Sequence, residues 1–309
     1  MKILVTGSTG LVGTALVSAL AREGHMVCRL LRPQSVVKGG SVTEKTTGGF
    51  DVAWNPETGE LGGAAVGADS VVNLAGASIA EGRWTAERKE LLRSSRIETT
   101  RALVRALAQM NARPRVLVSA SAIGYYGDRG DELLTEDSKA GSGFLAGLAR
   151  DWEAEASKAE ALEIRVVLAR IGIVLAKQGG ALPKMMLPFK IGAGGRIGSG
   201  QQWMSWVTLE EVVGILRFAI ENATVRGAVN VVAPQSVRNA EFTKVLAKTI
   251  RRPALFPAPA IALRLALGEL ADALLLSSQR VAPAKLHQLG HRFLHPDLHR
   301  ALTAILAAK

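Results

Sequence analysis

The chain has 309 residues, a formal net charge of +11 at pH 7 and a single cysteine, Cys28. A hydrophobic share of 48% with 5% aromatics suits a large α/β core, and one lone thiol excludes a disulfide framework and points to a reducing, cytoplasmic setting. The apolar N-terminus is too short for a signal peptide, and Arg264, Glu269 and Asp272 interrupt the most apolar stretch, 257–276, which excludes a membrane span.

The first element is a strand, Lys2 to Thr6, that runs straight into Gly7-Ser8-Thr9-Gly10-Leu11-Val12-Gly13 and then a helix carrying Leu16, Val17 and Leu20. Each glycine has a separate purpose. Gly7 permits the tight turn, Gly10 lets the backbone approach a pyrophosphate, and Gly13 allows close helix–strand packing, while free amides at the helix start face the anion. Thr9, Leu11 and Val12 belong to the same cradle. Between a strand and a helix, this spacing reads as a dinucleotide site.

The second strand, Met26 to Leu31, decides which dinucleotide. A fold that prefers NAD ends this strand with an acid for the ribose hydroxyls, yet no Asp or Glu occurs between Glu23 and Glu44. Arg32 stands there instead, followed by Ser35 and Lys38, and a guanidinium pairs with the adenosine 2′-phosphate. NADP(H) is therefore the expected coenzyme. Arg29 is read as a surface residue of the strand.

Further strands are expected at Asp51–Trp54, Ser70–Leu74, Arg115–Ser119, Ile164–Leu168 and Ala228–Val232, with amphipathic helices near Leu11–Glu23, Thr85–Met110 and Gly143–Ala161. This alternation predicts a doubly wound parallel sheet. The expected division is a nucleotide-binding domain over 1–175, to which about 205–233 returns, and a smaller substrate lobe over 176–309. The densest basic helix, with Arg88, Lys89, Arg93, Arg96, Arg101 and Arg105, lacks interleaved aromatics, so it reads as a solvated face and not a nucleic-acid surface. Neither nucleic acid nor membrane is an expected partner. A small-molecule substrate is, and a homodimer is left open.

Longer motifs carry a resemblance. Asn73-Leu74-Ala75-Gly76-Ala77 and Ser119-Ala120-Ser121-Ala122, with the opening glycines, are similar to extended short-chain dehydrogenases/reductases. Arg83-Trp84-Thr85, Ser95-Arg96-Ile97, Gly124-Tyr125-Tyr126-Gly127, the runs 179–185 and 197–201, and 275–281 resemble the atypical "epimerase family protein" branch of the epimerase/dehydratase type, including its C-terminal segment of unassigned function. The resemblance covers the whole chain. It implies a Rossmann fold in which Leu74, Ala75, Gly76 and Ser119 line the nucleotide and Ile171 and Gly172 lie near the nicotinamide. Arg96 takes the place of a usual asparagine.

The resemblance also implies a Ser/Thr with a YxxxK pair, and the pair is missing. Ser121 matches the serine. The only tyrosines are Tyr125 and Tyr126, and alignment puts Phe144 and Leu148 at the tyrosine and lysine positions. A proton must then come from Tyr125, Tyr126, an acid in the upper lobe, or water. Each tyrosine also fits a packing role. Lys184, Arg196, Gln202 and Trp206 are expected at the substrate mouth, with Trp203 and Trp206 equally suited to packing. The glycine-rich run 192–200 reads either as a phosphate cradle or as a loop. Glu210 and Glu211 open a helix, where its dipole alone accounts for them. Four histidines recur at 287, 291, 295 and 299, but Gly290 and Pro296 break the helix that would align them, so no metal site is expected. The expected function is an NADP(H)-dependent oxidoreductase on a small carbonyl, hydroxyl or sugar-like substrate. The alternatives are a non-catalytic NADP(H) sensor and a nucleoside-diphosphate-sugar epimerase.

Overall fold

The computed structural model describes residues 1–32 and 50–307. Its centre is an eight-stranded sheet. The first half runs β1 (Lys2–Thr6), α1 (Leu11–Arg22), β2 (Met26–Leu31), β3 (Phe50–Asn55) and the antiparallel edge strand β4 (Glu60–Leu61). The chain then crosses to the other side of β1 with β5 (Ser70–Asn73), and α2 (Ala86–Ser94) and α3 (Ile97–Ala108) lead to β6 (Val116–Ala122). After β7 (Leu133–Leu134) and α4 (Phe144–Ser157) come β8 (Arg165–Ile171) and the short β9 (Ile173–Leu175).

The remaining elements are α5 (Ala181–Lys190), β10 (Trp203–Met204), β11 (Trp206–Thr208), α6 (Leu209–Glu221), β12 (Gly227–Val231), β13 (Val237–Arg238), α7 (Asn239–Thr249), α8 (Ala260–Leu267), β14 (Arg280–Val281), α9 (Ala284–Gln288) and α10 (Leu298–Ala307). The sheet order is β12-β8-β6-β5-β1-β2-β3-β4, parallel except at β4. The doubly wound expectation is met, with every anticipated strand present.

Strands covered on both faces read as near-continuous apolar runs, and alternation assigns their faces. Ile3 and Val5 pack with Leu16 and Leu20 of α1 and Ile215 and Leu216 of α6, whereas Leu4 joins Leu103 and Leu107 of α3 on the opposite face. A third apolar cluster forms apart from the sheet, where Leu182, Phe189, Trp206, Phe242, Leu246 and Leu302 converge. Among the described residues no helix is long and apolar enough to cross a membrane.

Local differences from expectation have physical causes. The predicted helix 85–110 is two helices, because the chain breaks at Ser95–Arg96; Thr85 Oγ1 caps α2 by accepting Arg88 N at 3.2 Å. The run 192–200 is ordered against a neighbouring segment. It is a strap laid along 256–258, with Phe256 N donating to Gly194 O at 3.0 Å and Gly198 N donating to Ala258 O at 2.8 Å. A Cβ at Gly195 would collide with the Phe256 carbonyl, so close backbone approach demands that glycine.

Glu211 does more than complement a dipole. It is buried, and its carboxylate accepts from Leu294 N at 2.7 Å and His295 N at 3.1 Å while His291 Nε2 lies 3.1 Å away. Two of the four spaced histidines are thus tied to α6, His295 through Glu210 at 3.1 Å.

Candidate functional site

Strand order reverses between β1 and β5, and ligands of open α/β sheets bind at the carboxyl ends of strands beside such a switch point. The glycine turn sits there. Gly7 has φ +63°, and a Cβ on it would strike the Leu74 carbonyl and come within 2.9 Å of Ala75 N; one on Gly13 would lie 2.8 Å from Ser8 Cα. Both are therefore demanded by packing. At Gly10 a Cβ meets nothing nearer than Gly7 O at 3.4 Å, so this surface is open.

Gly10 caps α1 with no side-chain bond, and no acid lies in the first turn to compete for the free amides. Ser8 Oγ is buried in the same turn without a partner among the described residues. These residues fit a bound diphosphate. Thr9 and Gly10 are exposed, and Leu11 and Val12 half-buried, along the same rim.

Arg32, directly after β2, is exposed, and no hydrogen bond or ion pair holds it among the described residues. Arg29 is engaged, its Nε donating to Asp51 Oδ1 at 2.7 Å across β2–β3, which fits its reading as a strand residue. Ser35 and Lys38 lie outside the described residues. Beyond β5, Leu74 and Ala75 are half-buried and Gly76 exposed. Beneath Gly76 lies Arg96, 9% exposed, with Nη2 donating to Ala77 O at 3.0 Å and Nη1 to Leu92 O at 3.2 Å. It is not part of a solvated basic face. Burial, with the like charge of Arg88 adding, pulls its pKa down to about 10.

Ser119 is not on the cleft surface. Its hydroxyl, fully buried, accepts from Asn73 Nδ2 at 3.2 Å within a polar network that includes Thr6, Thr100 and Trp152 Nε1. Ile171 is half-buried at the end of β8, and Gly172 is small because a Cβ would reach 2.7 Å from Ser205 O.

Ser121 is also buried, and its hydroxyl donates to Glu153 Oε1 at 2.6 Å. Glu153 in turn takes a two-pronged pair from Arg170, Nε to Oε1 and Nη2 to Oε2, both at 2.8 Å. With its proton given to a carboxylate, Ser121 can accept from a ligand hydroxyl but does not donate to a carbonyl. Arg170 Nη1 continues the chain to Tyr126 Oη at 2.9 Å, and Tyr126 donates to Asn230 Oδ1 at 2.7 Å. Burial works against the Arg170 charge, yet Glu153 and Tyr126 raise its pKa above the ordinary guanidinium value.

Glu153, Arg170, Asn230 and Glu136, whose Oε1 accepts from Asn230 N at 3.0 Å, were not singled out from the sequence. A signal existed for Arg170. Strand period places it on the same face as Val166 and Leu168, where an unpaired charge is not tolerated.

Tyr126 has its hydroxyl tied to Asn230 and Arg170, which fits the packing reading. It is fully buried, and desolvation, outweighing the nearby Arg170 charge, pushes its pKa up to about 12. A raised folded-state value means stability present at low pH and lost as pH climbs from about 10 toward 12. In a Tyr125→Phe variant, which keeps this phenol alone, we expect phenolate absorbance to rise only near pH 12; a midpoint at the free value of 10 shows the ring is not sealed. Tyr125 is half-buried and carries the Arg170 guanidinium 3.5 Å from its ring centre.

A cavity of about 310 Å³ opens between the turn after β6 and the C-terminal segment, and Gly124, Phe144, Arg264, Glu269, Asp272 and Gln279 are among its lining. Phe144 therefore faces it where relatives are expected to carry tyrosine. Leu148 is buried behind. Of the expected mouth residues, Lys184 is exposed and donates from Nζ to Ala80 O at 3.1 Å, and Arg196 is exposed on the strap.

Gln202 and Trp206 are corrections. Gln202 Nε2 braces Ile197 O at 3.2 Å and Leu275 O at 2.9 Å, and Trp206 is fully buried in the third core. Trp203 instead binds Asp131 Oδ1 through Nε1 at 3.0 Å. Glu23, His25 and Glu221 converge within 4.8 Å, but Glu23 is held by Arg217 at 2.5 Å.

A switch-point glycine turn over an uncapped helix defines a Rossmann-type dinucleotide-binding protein. The profile of the NAD dependent epimerase/dehydratase family matches residues 3–232, and a domain of unknown function, DUF1731, matches 258–305; the chain belongs to that epimerase/dehydratase family. It is 41% identical over 301 residues to epimerase family protein Mb2239 of Mycobacterium bovis, covering 97% of this chain and 96% of that one. Among solved structures it is similar to human epimerase family protein SDR39U1, isoform 2, crystallised with NADPH, at TM-score 0.85 and 32% identity over 99% of both chains. It is also similar to a nucleoside-diphosphate sugar epimerase of Corynebacterium glutamicum, at TM-score 0.78 and 36% identity, over 99% of this chain and 58% of that one.

Proposed function

We propose that this protein binds NADP(H) and is an oxidoreductase acting on a small carbonyl or hydroxyl compound held in the cavity beside Phe144. One observation carries the reading: Gly10 alone of the three turn glycines faces open space, over helix amides that nothing caps. The relative crystallised with NADPH supports the choice of coenzyme. Gly7, Gly10 and the α1 amides hold the diphosphate, with Thr9, Leu11 and Val12 at the rim. Arg32 meets the 2′-phosphate, and Leu74, Ala75 and Gly76 leave room for ribose.

When bound, the coenzyme supplies or accepts a hydride. The proton is the task of this chain, and the cavity offers the carboxylates of Asp128, Glu269 and Asp272 as acceptors in place of a phenol and an amine, Glu269 being paired with Lys89 and Asp272 with Arg264. Residues 176–309, except about 205–233, serve as the substrate-side lobe. About 310 Å³ is at the small end of ligand cavities, which suits a compact carbonyl compound better than a nucleoside-diphosphate sugar.

A second reading has an observation of its own. Tyr126 is sealed and Phe144 stands at the mouth, so the fold also suits a protein that binds NADP(H) without turnover.

Calorimetry on nucleotide-free protein tests the coenzyme. Arg32→Glu is expected to weaken NADPH binding by about 2 kcal/mol or more, roughly thirtyfold, while NADH binding changes by less than about threefold. Equal losses reject the 2′-phosphate contact. Oxidation of NADPH by a panel of small aldehydes and ketones then separates an enzyme from a sensor.

A further inference from the structure

Arg96 is a charge without a counter-charge. Its guanidinium is nine-tenths buried between α2, α3 and the loop after β5, and no carboxylate pairs with it among the described residues. Two carbonyl oxygens, those of Ala77 and Leu92, and the Trp152 ring 5.3 Å away are its company. Buried charges are ordinarily paired, and keeping one unpaired is costly. The low dielectric that depresses its pKa also extends the reach of its field.

Its position says which part of a ligand feels that field. Leu74 abuts the Gly7 turn, and two residues on, Gly76 lies over the Arg96 guanidinium; a Cβ there would come to 3.0 Å from Cζ. Residues 74–76 therefore separate Arg96 from the diphosphate turn. The adenosine side occupies the β1–β2 half of the switch point, so Arg96 underlies the other half, on the side of β6 and α4. The facing stripe of α4 is Phe144, Leu148 and Trp152, with no charge to answer it.

On the coenzyme reading given above, we propose that Arg96 lies beneath the nicotinamide half of the coenzyme and makes the protein hold the reduced form more tightly than the oxidised one. The oxidised nicotinamide ring carries a positive charge, and the reduced ring is neutral. Every other part of the two molecules is the same, so a fixed cation below the ring discriminates between them. At an effective dielectric of about 20 and a separation under about 10 Å, repulsion between unit charges amounts to roughly tenfold or more in affinity.

The test is a set of dissociation constants for NADPH and NADP⁺, measured by calorimetry on wild type, Arg96→Met and Arg96→Lys, with folding checked by circular dichroism. We expect wild type to favour NADPH at least tenfold, Arg96→Lys to keep most of that preference, and Arg96→Met to bring the ratio near one. Wild type with a ratio near one overturns the proposal without any variant. So does an Arg96→Met protein that keeps the wild-type ratio, or one that weakens both forms equally, since that marks a phosphate contact. Wild type that binds neither form overturns the coenzyme reading itself, and this proposal with it.

Discussion

Replacing Arg170 by methionine is expected to lower the melting temperature by on the order of 10 °C. The side chains of Arg170 and Glu153 are only 5% and 8% exposed, and the guanidinium also serves Tyr126 Oη and the Glu136 carbonyl. Methionine fills similar volume but leaves the Glu153 carboxylate buried with, among the described residues, Ser121 alone to donate to it. Removing one partner of a buried pair costs about 3–5 kcal/mol, mostly through the orphaned charge. The double variant Glu153→Leu/Arg170→Met removes both charges and is expected to recover much of that loss. Scanning calorimetry on the three proteins decides it. An Arg170→Met protein that melts within 2 °C of wild type would show the network to be worth little.

The second large effect separates two glycines three residues apart. Gly13→Ala drives a methyl group into the Gly7–Ser8 backbone, which no rotamer relieves, and is expected to cost about 3 kcal/mol or more. Gly10→Ala meets no such obstacle. With φ −77° and ψ 172° the backbone suits alanine, so stability should stay within about 1 kcal/mol of wild type. The new methyl occupies the approach to the helix amides, and NADPH affinity should fall about tenfold or more. Unchanged NADPH binding by a well-folded Gly10→Ala protein rules out a diphosphate above that residue.

This contrast also shows how legible the chain was. β1, the glycine turn and α1 are local, so spacing alone located them, and short apolar runs between amphipathic stretches placed all the major strands. The proposed coenzyme half of the site follows from the same local pattern, with Arg32 exposed and Arg29 spent on Asp51. The proposed reacting half is assembled across the sheet, where one-dimensional patterns are silent. Ser119 and Ser121 sit at the end of β6 as a motif suggests, yet their hydroxyls point under the sheet toward Asn73 and Glu153. Gln202 and Trp206 are polar and aromatic residues after a glycine-rich run, a pattern shared by ligand contacts and by the core packing they perform. The break at Ser95–Arg96, which turns a presumed surface cation inward, left no mark in helical periodicity.

The strand pair β7–β14 has a consequence for how this chain is made. Ser278 N reaches Asp128 Oδ1 across 150 positions, and Val281 lies beside Leu134 in register. A growing polypeptide that has already completed β7 must wait for a partner still to be synthesised, holding Leu134, later fully buried, without cover. Such long-range closure slows folding and lengthens the time for which this apolar position stays uncovered.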